Sequence, residues 1–187
     1  MKYINGKRQF KSLTKADKQR IWDSFALNLT SLEIQAKHKI SYHTLDKIIM
    51  ASKKSISKLK KELDKWFSLY IRLREATSQG IAQCFTCGKI DHYKKLQCGH
   101  FQSRRHHATR WNEWNCQVQC VRCNMFSGSG EQWKFGMNLN AKYGDGTANE
   151  LQFLAQTTIK KMRIEYEEDI SYYKSIVENL KKEKGLE

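Results

Sequence analysis

Cys84-Phe-Thr-Cys87 and Cys120-Val-Arg-Cys123-Asn124 enclose the stretch that decides how this chain folds. A Cys-x-x-Cys turn sets two thiolates at neighbouring corners of a tetrahedron, and two such turns close a four-coordinate Zn²⁺ site. The turns stand 32 residues apart, so one ion would tie together segments remote in sequence. Binding of this kind supplies on the order of 10 kcal/mol of folding free energy. Four thiolates leave no open coordination position, so a zinc held by Cys84, Cys87, Cys120 and Cys123 is expected to be structural. All six cysteines fall between residues 84 and 123. Such clustering without an export signal reads as metal binding before disulfides. Cys98 and Cys116 are left over and read as small apolar residues on two strands, with a disulfide between them as the less favoured alternative.

Between the turns run Gln97-Cys-Gly-His100, a polar Arg-rich loop, and Asn115-Cys-Gln-Val-Gln-Cys120. The order His100, Asn115, Asn124 resembles the HNH (ββα-metal) nuclease pattern in its H-N-N form. Each position has a physical reason. His100 should end the first strand of a hairpin, where a neutral imidazole can take a proton from water attacking phosphorus. Asn115 should open the second strand, its amide bonding loop backbone so that the loop holds His100 in place. Asn124 should start the following helix, its amide oxygen suiting a hard ion such as Mg²⁺ or Mn²⁺. That ion would polarise the phosphate and stabilise the leaving 3′ oxygen. Many HNH proteins carry an Asp just before the His as a second metal ligand, but here that residue is Gly99. The ion would then be shared among Asn124, phosphate oxygens and water, and would bind weakly without DNA. His106 and His107 are secondary candidates to complete the site. Arg104, Arg105, Arg110 and Arg122 are expected to contact DNA phosphates, with Arg104 joining the catalytic set by steadying the scissile group.

The resemblance narrows over residues 58 to 180. Phe67-Ser-Leu-Tyr-Ile-Arg-Leu-Arg74, Cys84-Phe-Thr-Cys-Gly88, Gly99-His-Phe-Gln-Ser-Arg104, Arg110-Trp-Asn-Glu-Trp-Asn115, Gln119-Cys-Val-Arg-Cys-Asn124 and Lys142-Tyr-Gly144 are similar to the NinG/Rap family of lambdoid-phage recombination endonucleases. Trp111 stands where that family tends to have Phe, and Ser129 where an Asn is common. The resemblance implies metal-dependent hydrolysis of branched recombination DNA such as Holliday junctions or D-loops. Two other readings stay open: a sequence-directed HNH nicking or homing-type endonuclease, and a non-catalytic DNA-binding zinc protein.

Residues 1 to 54 lie outside this resemblance and read as a DNA-binding region. Ala16 to Asn28 places Ile21, Phe25 and Leu29 at helical spacing. A short helix follows from Ser31, a plausible N-cap. The pattern then matches a helix-turn-helix: Ala36 where helices cross, Ile40 in the turn, Ser41 capping the second helix, and Leu45, Ile48 and Ile49 inward. Tyr42, His43 and Lys47, with Asp46, would face a major groove. A plain three-helix bundle is the alternative, because Lys39 stands where Gly is usual. A sequence reader here could redirect the nuclease to a site.

The remaining chain, 55–187, reads as one HNH endonuclease domain. A linking helix over 55–80 carries Leu59, Leu63, Trp66, Phe67, Tyr70 and Ile71, a ββα-metal core covers 81–130, and C-terminal helices fill 131–187. The first of these helices should stop at Gly144 and Gly146, and two more should span 148–163 and 164–183. The last could cover the core or pair with a second copy in a homodimer. The expected class is α+β, mostly helical, with a zinc-stabilised nuclease module.

Charge agrees with a polyanionic partner. The net charge is +15, with 18 Lys/Arg against 7 Asp/Glu over residues 1–80 and 7 against 2 over residues 81–130. The tail carries 9 against 10, so the basic excess belongs to the first two segments. No apolar run approaches the ~20 residues that span a bilayer, and the N-terminus lacks a secretory pattern. DNA rather than a membrane is the expected partner, and the expected location is cytoplasmic, in the bacterial host if the protein is phage-encoded.

Overall fold

The computed structural model describes residues 3–4, 6–52, 54–126 and 128–186, with side chains left aside at 3, 4, 51, 52 and 128–130. The chain divides into two units, Met1–Ser55 and Ile56–Glu187. Among the described residues it is mostly helical, with three two-stranded antiparallel sheets, an α+β protein. Among the described residues no helix is long and apolar enough to cross a membrane.

In the first unit a short hairpin, β1 (Tyr3–Ile4) and β2 (Lys7–Arg8), precedes three helices: α1 (Lys15–Ala26), α2 (Ser31–His38) and α3 (Tyr42–Ser52). The first two begin with capping boxes, Thr14 with Asp17 and Thr30 with Glu33. Each box satisfies two amide donors that the first turn leaves open. The cap of α2 is therefore Thr30 rather than Ser31, because Glu33 sits three residues after Thr30 and completes the pair. Ser41 does cap α3, accepting from the Thr44 N–H at 3.2 Å. Lys39 ends α2 with φ 50°, a left-handed conformation that Gly adopts at lower cost. Leu13, Ile21, Ile34, Ile40, Leu45 and Ile48 form the core. Ala36 is exposed instead of lying at a helix crossing, and Ile34 takes the inward position.

The second unit is organised by α4 (Ile56–Arg74), which stops six residues before Gly80. Its apolar stripe Leu59, Leu63, Phe67 and Ile71 packs with Tyr166, Tyr173 and Val177 of the C-terminal helix α8 (Arg163–Lys184), the Phe67 and Tyr173 rings meeting edge-on at 5.0 Å. The same cluster takes in Cys116 and Val118. Strands β3 (Ile81–Gln83) and β4 (Ile90–His92) form a hairpin whose turn is the first Cys-x-x-Cys. Strands β5 (Gln97–His100) and β6 (Cys116–Gln119) form the next, with Cys98 opposite Val118, Gly99 opposite Gln117 and His100 opposite Cys116. The connection between them holds a single helical turn, α5 (His107–Arg110). After β6 come a π-helical turn, Arg122–Phe126, and then α6 (Gly128–Tyr143). Helix α7 (Thr147–Ala155) ends well short of residue 163, so the chain between α7 and α8 is not helical as the sequence suggested.

Candidate active site and metal centre

The thiol sulfurs of Cys84, Cys87, Cys120 and Cys123 all lie within 4.8 Å of one another. Cys87 and Cys120 Sγ are 3.8 Å apart, which matches the ~3.8 Å edge of a tetrahedron with Zn–S bonds near 2.3 Å. Burial raises the Cys84 and Cys123 thiols. Burial also works to raise Cys87, but the Lys89 backbone N–H and its three neighbouring thiols bring it down to about 7. Four crowded thiols cannot all ionise without a cation among them, so this donor set fits a zinc ion. The Phe85 carbonyl accepts from Asn138 Nδ2 at 2.6 Å, and the Phe85 ring meets Phe135 at 5.1 Å, so α6 is pinned to the first turn.

β5 and the loop after it form one wall of a cleft of about 1120 Å³. His100, Arg104, Arg105, His106 and Asn124 line it together, with Arg72 and Lys94. Four cations and no carboxylate among these linings give it the electrostatics that suit an anion. His100 Nε2 lies 3.2 Å from the Arg110 carbonyl oxygen. A carbonyl can only accept, so Nε2 carries the proton and Nδ1 keeps the free lone pair. Burial pushes the His100 pKa below the usual histidine value, and Arg104 and Arg110 add to this by repelling the protonated ring. Both effects favour the neutral imidazole.

Asn115 is fully buried immediately before β6. Its Oδ1 accepts from the Gln102 N–H at 2.6 Å, and its Nδ2 donates to the carbonyls of Gln102 at 3.0 Å and Thr109 at 2.9 Å. One side chain thus cross-links both halves of the loop that carries the Arg110 carbonyl. Asn124 sits inside the π-helical turn rather than at the start of α6. Its Nδ2 donates to Gln97 Oε1 at 2.7 Å, which leaves its own amide oxygen for another partner.

Gly99 has a packing reason. A Cβ there would lie 2.7 Å from Cγ of Gln119 and nearer still to its amide group. Gln119 is buried and held by a 2.7 Å bond from its Nε2 to Thr86 Oγ1. A side chain before His100 would have to displace it.

Arg110 is employed differently from expectation. Its guanidinium grips Asp64 of α4 with bonds of 2.9 and 2.6 Å and reaches the Arg104 carbonyl at 2.6 Å. Trp111 Nε1 adds a third bond to Asp64 at 3.0 Å. His107 is taken by Lys60 at 2.9 Å and is absent from the cleft lining, whereas His106 lines it. Arg122 is exposed on the π-helical turn, and Tyr42, His43 and Lys47 are exposed on α3 of the other unit. Asp64, Gln97 and Arg72 were not singled out from the sequence. Arg72 reaches the carbonyls of Tyr93 and Leu96 just before β5, at 3.2 and 3.4 Å. Their signal was faint, since polar residues on an amphipathic helix or ahead of a strand usually face water.

No curated protein and no solved structure matches the chain. The sequence model of the family described as bacteriophage lambda NinG protein matches residues 10–183. That span includes the three N-terminal helices, which a resemblance beginning near residue 58 left outside. With nearly the whole chain matched, the protein belongs to the bacteriophage lambda NinG family.

Proposed function

We propose that this protein is a metal-dependent DNA endonuclease of the HNH kind, cutting branched recombination DNA. The observation that carries the reading is His100. Burial favours its neutral ring, its tautomer follows from the Arg110 carbonyl, and its other nitrogen belongs to a residue lining a cleft of four cations. The β5–β6 hairpin, the π-helical turn and α6 supply the ββα order, with the four-cysteine cluster holding a structural zinc.

In this mechanism Arg104 and Arg105 bind phosphate oxygens and set the scissile group against His100. Nδ1 takes a proton from water, the water oxygen bonds to phosphorus, and the bond from phosphorus to the 3′ oxygen breaks. The 3′ oxygen leaves with a proton from solvent, giving a 5′ phosphate. Asn115 acts as a positioning residue through the loop it clamps. The donor set for a Mg²⁺ or Mn²⁺ ion is the Asn124 amide oxygen with no carboxylate beside it, which fits such an ion only when DNA phosphate completes its oxygens. Once bound there, the ion would supply positive charge to the phosphate and to the leaving oxygen.

The test compares four-way junction, flap and linear duplex DNA on a gel with Mg²⁺, Mn²⁺ or EDTA. Junction cutting should require metal and fall about 10²- to 10⁴-fold in His100→Ala, with DNA affinity retained. Equal cutting of a linear site would favour a sequence-directed nickase. Absence of cutting with every metal would leave a DNA-binding zinc protein.

A further inference from the structure

Cys98 and Cys116 do not belong to the four-cysteine centre, yet they are not simply core residues. Cys98 and His100 are two apart on β5 and so share one face of the hairpin, and Cys116 is the cross-strand partner of His100. Two sulfurs and a ring nitrogen therefore converge, all within 4.8 Å of one another. A disulfide does not suit this arrangement. Cys98 pairs with Val118, so Cys116 is its diagonal neighbour. Diagonal neighbours have α-carbons ~7–8 Å apart, at or past the ~7 Å limit for a disulfide. A tetrahedral metal asks only for sulfurs ~3.8 Å apart, which needs at most about 1 Å of side-chain movement.

We infer that Cys98, His100 and Cys116 form a second metal site, selective for a thiophilic divalent ion such as Zn²⁺ and shared with the imidazole of the cleft. Three protein ligands leave a fourth position for water. Space for it lies alongside: a cavity of about 80 Å³ lined by Asp64, Phe67, Ser68, Cys98, His100 and Arg104. Two thiolates neutralise the ion's charge, which offsets the nearby arginines and selects a soft metal over Mg²⁺. Occupation removes His100 as a base whichever nitrogen binds. Through Nδ1 the metal occupies the free lone pair. Through Nε2 it displaces the Arg110 carbonyl, and the ring proton moves to Nδ1. Metal binding is independent of the nuclease reading; the inhibition rests on it.

The experiment uses the full chain, reduced and equilibrated by dialysis against buffered free Zn²⁺. Wild type should saturate at two zinc ions per chain, while Cys98→Ser and Cys116→Ala should each stop at one. Added to protein already holding one zinc, Co²⁺ should give a thiolate charge-transfer band in wild type and none in Cys98→Ser. Cys116 is fully buried, so if its variant misfolds, the half-buried Cys98→Ser decides. Saturation of wild type at one zinc overturns the site, as does a folded Cys98→Ser that still takes two. In a parallel assay the second zinc equivalent should depress junction cleavage about 10²-fold or more in wild type and spare Cys98→Ser. Two zinc ions in a chain that never cuts DNA would leave the site standing and remove the nuclease reading instead.

Discussion

Replacing Asn115 by Ala deletes its three hydrogen bonds to the loop at once, to Gln102 N–H, Gln102 carbonyl and Thr109 carbonyl, besides a long contact to Cys116 Sγ. At ~0.5–1.5 kcal/mol net per bond the loss spans ~1.5–4.5 kcal/mol. Two features pull it toward the middle. Gln102 lines the open cleft, so water can reach its backbone, and the Thr109 carbonyl keeps the Asn112 N–H at 3.1 Å. About 2–3 kcal/mol remains, or roughly 4–12 °C in the melting of a domain this size. The released loop carries the Arg110 carbonyl that orients His100, and a misplacement of ~1 Å costs on the order of 10²-fold in rate. Asn115→Asp separates the donors from the acceptor. It keeps an oxygen for the Gln102 N–H but sets the other against two carbonyls, which raises the new carboxyl's pKa in the fold. Its deficit against wild type should be full at neutral pH and shrink as pH falls, because protonation restores a donor. Proteins holding one zinc per chain would be melted across pH and assayed on junction DNA. An Asn115→Ala protein that melts within about 1 °C of wild type and cuts within about twofold would refute the clamp.

The cleavage rate should rise with pH through a single acid limb below the ordinary histidine value of 6.5 and be level by neutrality, because burial and two arginines favour the neutral His100 ring. Arg104→Ala should move that limb upward even while lowering the plateau; a limb that stays put would detach Arg104 from His100. Zinc removal by chelation, or Cys120→Ser, should unfold the second unit and lose cutting together, read by circular dichroism and elemental analysis. A chelated protein that retains its fold would make the four-cysteine cluster an accessory. Deleting residues 1–54 should leave cutting measurable and flatten the salt dependence of duplex binding by ~0.9 in log–log slope for each DNA phosphate that is no longer neutralised; an unchanged slope would make the three helices a packing element.

The site was legible in sequence where a residue's role depends on its neighbours along the chain. A Cys-x-x-Cys turn is local, so the four-cysteine cluster could be read directly. His100 ending β5 follows from the order of residues around a hairpin, as does Asn115 at the entry to β6, though the strand begins one residue later than expected, at Cys116. Relations across the fold were not legible. Arg110 read as a phosphate contact because its partner Asp64 is 46 residues away on α4, where no spacing along the chain points to it. The Lys60–His107 pair is separated in the same manner. At the N-terminus the misplacement of the α2 cap by one residue has a different origin. Both Thr30 and Ser31 can cap, and the choice falls to Glu33, which stands three residues after Thr30 and completes a capping box with it, a spacing the sequence already carried. Ala36 misled because a small residue is compatible with a helix crossing without requiring one.

Gly99 joins these two scales. Read along the chain it is a missing metal ligand, a departure from the pattern that the surrounding residues otherwise follow. In the fold it is the gap that admits Gln119, and Gln119 holds Thr86 inside the first Cys-x-x-Cys turn. The position before His100 is thus committed to joining the hairpin to the metal centre. A side chain there would break that joint, while the cleft beside His100 is lined by Arg72, Lys94, Arg104 and Arg105. On the proposed reading a cleft with four cations and no carboxylate in its lining would draw phosphate ahead of a free divalent ion. Under the proposed mechanism the metal therefore arrives with the DNA, and the enzyme has a complete catalytic site only when its substrate is in place.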